Sequence, residues 1–544
     1  MIRTLLLVGV LAVIVGAPFV LKPKENLISK ADRTVVIITP HNEAIRSEFA
    51  RAFRHYYLAK HGQTVRVDWR VIGGTSEIAR YLASEFEAPF TNYWVNTLHR
   101  PWDATVQRSY ADPKIKPGPD PASDTPEQAA RRMFLDSNVG IGIDLFFGGG
   151  SYDFDQQARA GRLVDSGVLQ RHPEWFGEQA IPQRLGGEPF WDPAGLWVGT
   201  VLSGYGIFSN LDVLERLGVK QPPSQWPELG DPIYRRQLAL ADPTKSSSAG
   251  KAFEMLVQQQ MQLRLATFEA NEPAGTAGEI RAREKRARDE GWLDAMRLLI
   301  RLGGNARYFS DTSQKPPIDV GFGDAAVAMG IDFYGRQMAE ATDRAGAKGR
   351  VVFISPVGGT SFGIDPIGVL RGAPEPDLAK EFIDFVLSLD GQKLWDYRPG
   401  MPGGPEKFSL RRLPIRPELY GPEHELFLAD PTVKPFEDAK QFSYRVEWTG
   451  NLFRTLGFII RVMCQDPHEE LKEAWAEVIR ANYPPQAMAA LFEVSAVNYA
   501  AADGTIREAL DASNKIEEVQ LAKKLSNQFR DQYRLAAELA REGK

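Results

Sequence analysis

Hydrophobic and polar positions follow two alternating patterns in the first part of the chain. Residues 34–39 (TVVIIT) are an uncharged, β-branched run that predicts a buried strand, and residues 43–60 keep their apolar positions on one helical face. Residues 65–72 predict a second strand, and residues 77–86 predict a second helix. Repeated strand–loop–helix units of this kind predict an α/β fold, in which helices cover a parallel sheet.

The alternation is interrupted once and then continues. Residues 88–137 are rich in proline, aspartate and aromatic residues, and we interpret them as an insertion. Further strands are predicted at 140–147, 197–210 (as a strand pair), 238–241, 327–331, 351–355 and 364–370. From about residue 420 the alternation stops, and residues 420–544 are predicted to form a mainly helical extension.

Length and composition set the broad class. The chain has 544 residues, more than one ordinary domain, so two lobes plus an additional segment are expected. The net charge of −5 gives no indication of a nucleic-acid partner. Cys464 is the only cysteine, which excludes an intrachain disulfide and a zinc ribbon or iron–sulfur cluster held within one chain.

The N-terminus has the pattern of an export signal. Arg3 precedes an apolar run at 5–21, and lysines follow it. Residues 1–24 are therefore predicted to be a signal peptide or an N-terminal membrane anchor, and the protein is expected in the periplasm or another extracytoplasmic space. Pro18 disfavours cleavage after Ala17. An uncleaved transmembrane helix that tethers the chain to the inner membrane is therefore the alternative to a cleaved signal peptide.

Small and hydroxyl-bearing residues follow several predicted strands, directly before a helix. Free N–H groups and the helix dipole make such positions suitable for anions. The same residue types are preferred N-caps, so helix capping alone is an alternative at each loop. In chain order the candidate ligand-binding residues of these loops are His41, Asn42, Thr75, Ser76, Gly149, Gly150, Thr244, Ser246, Ser247 and Ser248.

Signatures of nucleotide-dependent and metal-dependent enzymes are missing from the sequence. The chain has no Walker A pattern, no H-E-x-x-H and no G-x-G-x-x-G after a strand. We therefore predict no catalytic residues, no cofactor and no metal site, and a protein that is not an enzyme.

The order of several segments resembles the extracellular solute-binding proteins of ABC importers, in the group that handles ferric ion, polyamines and organophosphates. The resemblance covers residues 34–412, and its most specific stretches read DPTKSSSAG and GAPEPDLAKEFIDF. It implies the type II periplasmic-binding-protein fold, in which two lobes of mixed sheets flanked by helices close on a ligand.

The resemblance also implies boundaries and partners. The two-lobed region would cover 34–415, with lobe 1 at about 34–200 and 345–415 and lobe 2 at about 201–344. The expected partners are a small-molecule ligand and an ABC permease in the inner membrane, with no nucleic acid. A membrane-anchored ligand sensor that reuses the fold is the alternative.

The resemblance adds four residues to the expected ligand shell. They are Ser203 near the crossover between the lobes, Asp332 and Tyr334 opposite the serine loop, and Asp365. Ferric-binding members use an adjacent tyrosine pair, whereas this chain has only one phenol at 332–335, which disfavours iron.

A polyamine would need carboxylates and an aromatic box. The candidates are Asp144, Asp332, Asp365 and Trp197. The glycine and hydroxyl loops instead favour a solute that bears a phosphate, phosphonate or carboxylate group.

Overall fold

A computed structural model of the protein describes residues 31–273, 275–512 and 515–544. The predicted signal or anchor at 1–24 lies outside these residues. The strands are β1 (Arg33–Ile38), β2 (Val65–Arg70), β3 (Leu145–Phe147), β4 (Leu163–Val164), β5 (Arg184–Leu185), β6 (Glu188–Pro189), β7 (Val198–Ser203), β8 (Tyr205–Asn210), β9 (Leu238–Ala241), β10 (Ala306–Ser310), β11 (Val327–Ile331), β12 (Val351–Ile354), β13 (Gly363–Leu370) and β14 (Leu413–Pro414).

Helices cover both sheets and make up most of the C-terminal part. Up to residue 344 the α-helices are Glu43–His61, Thr75–Glu85, Glu87–Asn92, Ala104–Ser109, Pro126–Asp136, Ser151–Ala160, Val168–Arg171, Leu211–Arg216, Ser247–Asn271, Ala277–Asn305, Lys315–Phe322 and Asp332–Arg344. After residue 344 they are Pro376–Leu387, Leu389–Asp396, Pro435–Asp438, Val446–Thr449, Phe453–Ile460, His468–Arg480, Pro485–Leu491, Tyr499–Ala501, Arg507–Asp511 and Lys515–Arg541.

Two separate sheets organise the molecule. The first has the order β14-β7-β13-β3-β1-β2, with β4 beside β13, and the second has the order β10-β9-β11-β8-β12. Each contains parallel and antiparallel pairs: β1 is parallel to β2 and β3, whereas β13 is antiparallel to β3 and β7. We call the region around the first sheet lobe 1 and the region around the second sheet lobe 2. The predicted two-lobed α/β fold with mixed sheets is confirmed.

Two crossovers between strands of the two sheets carry the chain from one lobe to the other. The first is at Gly204, because β7 ends at Ser203 in the first sheet and β8 begins in the second. Residues 197–210 therefore do not form the strand pair that their pattern predicted. Both strands are buried along their full length, and a buried strand carries no alternation that tells which sheet it joins.

The second crossover lies between β12 and β13. Strand β12 pairs with β8 in the second sheet, so the chain belongs to lobe 2 up to Ile354. The expected boundary at residue 345 falls before this strand, within the turn after the helix Asp332–Arg344. After that helix a short connection at 345–350 returns the chain to the second sheet as β12.

Residues 88–137 are part of lobe 1 rather than an appended insertion. Phe90, Trp94 and Phe134 are buried, and they belong to the same apolar cluster as Val35 and Ile37 of β1. Phe90 and Phe134 meet edge to face, with ring centroids 5.3 Å apart. Aspartate and proline residues of the segment begin its helices, since Asp103 caps Ala104–Ser109 and Pro126 opens Pro126–Asp136, while its aromatic residues extend the core.

The C-terminal extension is mainly helical and packs on lobe 2. Leu456, Trp475 and Phe529 belong to one buried cluster with Ile207 of β8 and Trp292. The indole N–H of Trp292 donates to the carbonyl of Val497, 2.8 Å away. The extension therefore shares a core with lobe 2. Within the part of the chain that the structure describes, no helix is long and apolar enough to cross a bilayer.

Candidate functional site

A cleft of about 730 Å³ lies between the two lobes. Its lining comes from the strand ends and helix starts of both sheets, where ligands of open α/β sheets bind. The candidate residues that line it are His41, Asn42, Thr75, Gly149, Gly150, Ser246, Ser247, Ser248, Tyr334 and Asp365. The candidates Ser76, Ser203, Thr244 and Asp332 do not line it.

Lobe 1 presents two helix N-termini to the cleft. The helices Thr75–Glu85 and Ser151–Ala160 begin after Gly74 and Gly150, which have no side chain to cap them. Both glycines line the cleft. The N–H of Gly74 itself donates to Oε2 of Glu77 at 2.8 Å, so this carboxylate caps the first of the two helices. The N–H groups that have no partner within the first helical turns, together with the positive dipole ends, are the donors that the two starts offer.

Lobe 2 presents a cluster of hydroxyl groups opposite. The hydroxyls of Ser246, Ser248 and Ser313 lie within 3.0–3.1 Å of one another. Ser246 also accepts a hydrogen bond from the amide of Ala249, so it caps the helix Ser247–Asn271. Helix capping is likewise the use that the structure gives to Asn42, which accepts from the amide of Ile45.

A buried hydrogen bond between Ser247 and Asp153 joins the lobes inside the cleft. The hydroxyl of Ser247 donates to Oδ2 of Asp153 at 2.8 Å, and both residues are buried. The hydroxyl of Ser76 lies 3.5 Å from that of Ser247, so it meets the other lobe at the edge of the same contact. Burial raises the pKa of Asp153 to about 6, although the bond from Ser247 opposes this shift.

A network of buried polar groups lines the cleft where β7, β13 and β14 adjoin. Nη1 of Arg412 lies 2.6 Å from Oδ2 of Asp365, and its Nη2 lies 2.6 Å from the hydroxyl of Ser203. Nε2 of His41 lies 3.1 Å from the same Asp365 oxygen. Ser203 is therefore occupied by Arg412 and does not reach the cleft.

The protonation states of Asp365 and His41 in this network depend on burial and on their polar partners. Burial opposes ionisation of Asp365, but the charge of Arg412 and the bonds from His41 and Arg412 overcome it and lower the pKa of Asp365 to about 2. Burial lowers the pKa of His41 and outweighs its bond to Asp365. The imidazole is therefore neutral near pH 7, and it donates Nε2–H to an ionised carboxylate.

Two further candidates have structural partners. The backbone N–H of Gly204 donates to Oδ2 of Asp332, and the N–H of Asp332 donates to the carbonyl of Gly204, both at 3.0 Å. Asp332 therefore fixes the first crossover. Thr244 donates its hydroxyl to Oδ1 of Asp242 at 2.7 Å and is turned away from the cleft.

A buried ionic cluster, which was not predicted from the sequence, lies at one end of the cleft. Nζ of Lys251 lies 2.7 Å from Glu188 of lobe 1 and 2.8 Å from Glu254 of lobe 2. Burial lowers the pKa of Lys251, but the two carboxylates overcome this effect and raise it. Lys251 is therefore charged, and it links the two lobes.

Residues 359–363 (GTSFG) match the G-x-S-x-G pattern of hydrolase nucleophiles, so the surroundings of Ser361 are informative. The serine lies in the second crossover, not between a strand and a helix. Its hydroxyl donates to Glu188 at 2.6 Å and contacts the sulfur of Met255. A serine bound to a carboxylate without a histidine partner lacks the base that activates such a nucleophile.

The residues proposed for a polyamine are only partly brought together. Asp365 and Trp197 line the cleft. Asp144 instead accepts backbone N–H groups of Val36 and Glu375, away from the cleft. Among the residues that the structure describes, no group of three or more histidine, cysteine or acidic side chains is arranged to hold a metal ion.

Sequence reasoning missed Asp153, Lys251 and Arg412, three ionisable groups that line the cleft. Asp153 and Lys251 lie within helices, where charged residues normally face solvent. Arg412 follows Arg411 in a segment without regular periodicity. Glycine and hydroxyl loops mark the rim of the site, whereas these three buried charges give no comparable pattern.

Two α/β lobes that adjoin a common cleft and are linked by crossing strands define a clamp-like binding protein. Residues 143–412, about half of the chain, match the family described as bacterial extracellular solute-binding protein. Over these residues the chain belongs to that family of binding proteins. The match covers β3 to the start of β14, including both crossovers and the whole second sheet.

A relative and several solved structures are similar. An uncharacterized protein of Haemophilus influenzae is 28% identical over 256 residues, covering 46% of this chain and 60% of that protein. The matched segment thus spans less than two thirds of the relative. The periplasmic binding protein AfuA of Actinobacillus pleuropneumoniae, with bound fructose-6-phosphate, is 16% identical, with 83% of this chain and 99% of its own covered and a TM-score of 0.46.

Iron-bound HitA of Pseudomonas aeruginosa is 14% identical, with 78% of this chain and 99% of its own covered and a TM-score of 0.43. PotD of Streptococcus pneumoniae is the substrate-binding protein of a spermidine/putrescine ABC transporter. It is 13% identical, with 79% of this chain and 99% of its own covered and a TM-score of 0.42.

Proposed function

We propose that this protein is the extracytoplasmic solute-binding component of an ABC importer, and that it captures a small solute with a phosphate, phosphonate or carboxylate group. One observation carries the proposal. The helix starts after Gly74 and Gly150 in lobe 1 and the hydroxyl cluster around Ser248 in lobe 2 line the same cleft. First-turn N–H groups on one wall and hydroxyls that can turn toward a ligand on the other favour an anion between them.

The same arrangement couples binding to closure. A solute held only by lobe 1 gains the backbone donors of the helix turns that begin after Gly74 and Gly150, and it gains the serine hydroxyls once lobe 2 approaches. Because the second set of bonds forms only in the closed arrangement, the solute shifts the population toward closure. The closed form would then present both lobes to a permease in the inner membrane, and the apolar run at 5–21 would export or tether the chain.

Native mass spectrometry of freshly purified protein tests the proposal directly. We expect a co-purified anion, released when the protein is denatured. A thermal-shift panel of inorganic phosphate, glycerol 3-phosphate, methylphosphonate, citrate and spermidine then ranks the chemistry. A ligand that binds only the native state stabilises it by RT ln(1 + [L]/Kd), about 2.7 kcal/mol at 100 times Kd. A shift with spermidine and with none of the anions would overturn the anionic ligand.

A further inference from the structure

The C-terminal extension crosses from lobe 1 to lobe 2 at 439–442, and residues 442–453 then run beside the cleft. Ala439 belongs to the buried core of lobe 1, whereas Phe442 belongs to that of lobe 2. The passage runs next to the second crossover, since a Cβ on Gly358 would lie 3.7 Å from the carbonyl oxygen of Gln441. The chain therefore connects the lobes a third time at this place.

The segment touches lobe 1 through its backbone. The N–H of Tyr444 donates to the carbonyl of Gly186, 2.7 Å away, in the turn between β5 and β6. Gly187 has φ of +86°, and a Cβ there would lie 1.9 Å from the carbonyl oxygen of Tyr444. The rings of Phe453 and Tyr152 form a second contact, with centroids 5.0 Å apart. The approach to the turn is thus close enough to require glycine.

The same segment is held to lobe 2 by side chains of the helix Ser247–Asn271. The amide of Gln258 donates to the carbonyl of Arg445 at 2.8 Å and accepts from its N–H at 2.9 Å. The hydroxyl of Tyr444 donates to Glu254 at 2.8 Å. These bonds fix both the backbone and the ring of the segment against lobe 2.

Residues of the segment also line the cleft. They are Tyr444, Val446, Gly450, Asn451 and Phe453. Nζ of Lys251 lies 3.8 Å from the ring centroid of Tyr444, while it bridges Glu188 of lobe 1 and Glu254 of lobe 2. The ionic cluster that links the lobes is therefore covered by the C-terminal extension.

We infer that residues 442–453 form the end wall of the solute site and act as a third connection that limits how far the lobes open. Tyr444 would decide which solutes fit at this end, because its ring lines the cleft over Lys251. The part of this inference that concerns solutes rests on the proposed function. The part that concerns opening does not.

Distance measurements between the lobes test the connection without any ligand. Ala59 in lobe 1 and Ala345 in lobe 2 are exposed, so spin labels on Ala59→Cys and Ala345→Cys report the opening. Cys464 is buried, and burial raises its pKa, so the native thiol stays unlabelled. In the full-length protein, Gly187→Ala is expected to give longer and broader spin–spin distances than the parent.

Gly218→Ala is the matched control, because Gly218 also has a positive φ of +77° but no atom within 4 Å of its Cβ position. Equal distances in the two variants would overturn the connection. If Gly187→Ala does not fold, Gln258→Ala replaces it, since it removes both bonds to the backbone of Arg445. If the spin–spin distances in Gln258→Ala equal those of the parent, the third connection is also overturned.

Binding of the panel anions tests the wall. Tyr444→Phe keeps the ring over Lys251, whereas Tyr444→Ala removes it. We expect Tyr444→Ala to weaken binding of the best panel anion about tenfold or more, and Tyr444→Phe to weaken it less. Equal affinity in Tyr444→Ala and the parent would contradict the wall. If no panel anion binds the parent, the proposed function fails, and the distance measurements still decide the third connection.

Discussion

The hydroxyl of Ser247 lies 2.8 Å from Oδ2 of Asp153 and donates a hydrogen bond from lobe 2 to lobe 1. It is a contact between the start of the helix Ser247–Asn271 and the first turn of the helix Ser151–Ala160. Among the residues that the structure describes, no cation is paired with the carboxylate, and burial raises its pKa to about 6. The cleft therefore holds a carboxyl group whose pKa lies well above that of an exposed aspartate.

Replacing Asp153 with asparagine should change how stability depends on pH. The pKa of Asp153 is about 6 in the folded protein against an ordinary 3.8, so between these values only the folded form binds the proton. Stability of the parent therefore falls as pH rises through this interval, by about 3 kcal/mol in total. We expect the melting temperature of Asp153→Asn, relative to the parent, to be higher at pH 7.5 than at pH 4.5.

The control for this experiment is Asp155→Asn, on the same helix. Asp155 is paired with Arg159 near the surface, with 38% of its side chain exposed, so its replacement removes only an exposed ion pair. Its melting temperature relative to the parent should be nearly constant with pH. The role given to Asp153 is wrong if both variants follow the parent over the whole range.

Arg412 and Asp365 should depend on each other for stability. Arg412→Met leaves a buried carboxylate without its cation, a loss that costs about 3–5 kcal/mol in comparable buried pairs. Asp365→Asn in the same chain removes the uncompensated charge, so the double variant should melt above Arg412→Met. Urea denaturation of the single and double variants measures the coupling, and Arg216→Met serves as an exposed control. Purely additive losses would show that the pair is not coupled.

Most of the longer strands could be predicted from the sequence, although β10 was missed, whereas the distribution of strands between the two sheets could not. Runs such as 34–39 and 327–331 identify buried strands, because β-branched and apolar residues without alternation suit a sheet covered on both faces. The same property makes strands β7 and β8 equivalent in pattern, although they lie in different sheets. Their separation depends on the Gly204–Asp332 contact, which joins residues 128 positions apart.

The rim of the site could be predicted because helix starts after strands carry local signals. Glycines and hydroxyls at 149–150 and 246–248 are visible in the sequence and line the cleft. The pairing of Lys251 with Glu188 depends instead on tertiary structure, since 63 residues separate them along the chain. Tyr444 was missed for the same reason, because the tail beyond 420 has no pattern that places it beside lobe 1.

Gly148 should not tolerate a side chain, because His41 fills the adjacent space. A Cβ at Gly148 would lie 2.5 Å from Nε2 of His41, and φ of Gly148 is +92°. The imidazole cannot move away without breaking its bond to Asp365 and its edge-to-face contact with Phe147. We therefore expect Gly148→Ala to lower the melting temperature strongly.

The matched control is Gly142→Ala. Gly142 has φ of +73°, but no atom lies within 4 Å of its Cβ position. It should lose only the cost of a left-handed backbone, about 1–2 kcal/mol. Overpacking adds about 1–3 kcal/mol at Gly148. Equal melting temperatures of the two variants would show that the His41 ring is not fixed in the way described.

The serine loop allows capping and binding to be separated. Ser246 accepts from the amide of Ala249, so Ser246→Ala removes a helix cap and should cost about 0.5–2 kcal/mol. Ser248 bonds only to the hydroxyls of Ser246 and Ser313, so Ser248→Ala should leave the melting temperature of the ligand-free protein nearly unchanged.

Binding of the panel anion should respond differently. If the hydroxyls of the loop contact the solute, Ser248→Ala loses one hydrogen bond, and its affinity falls about 2- to 10-fold without loss of stability. Isothermal titration calorimetry with the anion that stabilises the parent most measures this effect. An unchanged affinity in Ser248→Ala, together with a destabilised Ser246→Ala, would mean that the loop only caps its helix, and the anion would then have to be held by the lobe 1 helix starts at Gly74 and Gly150.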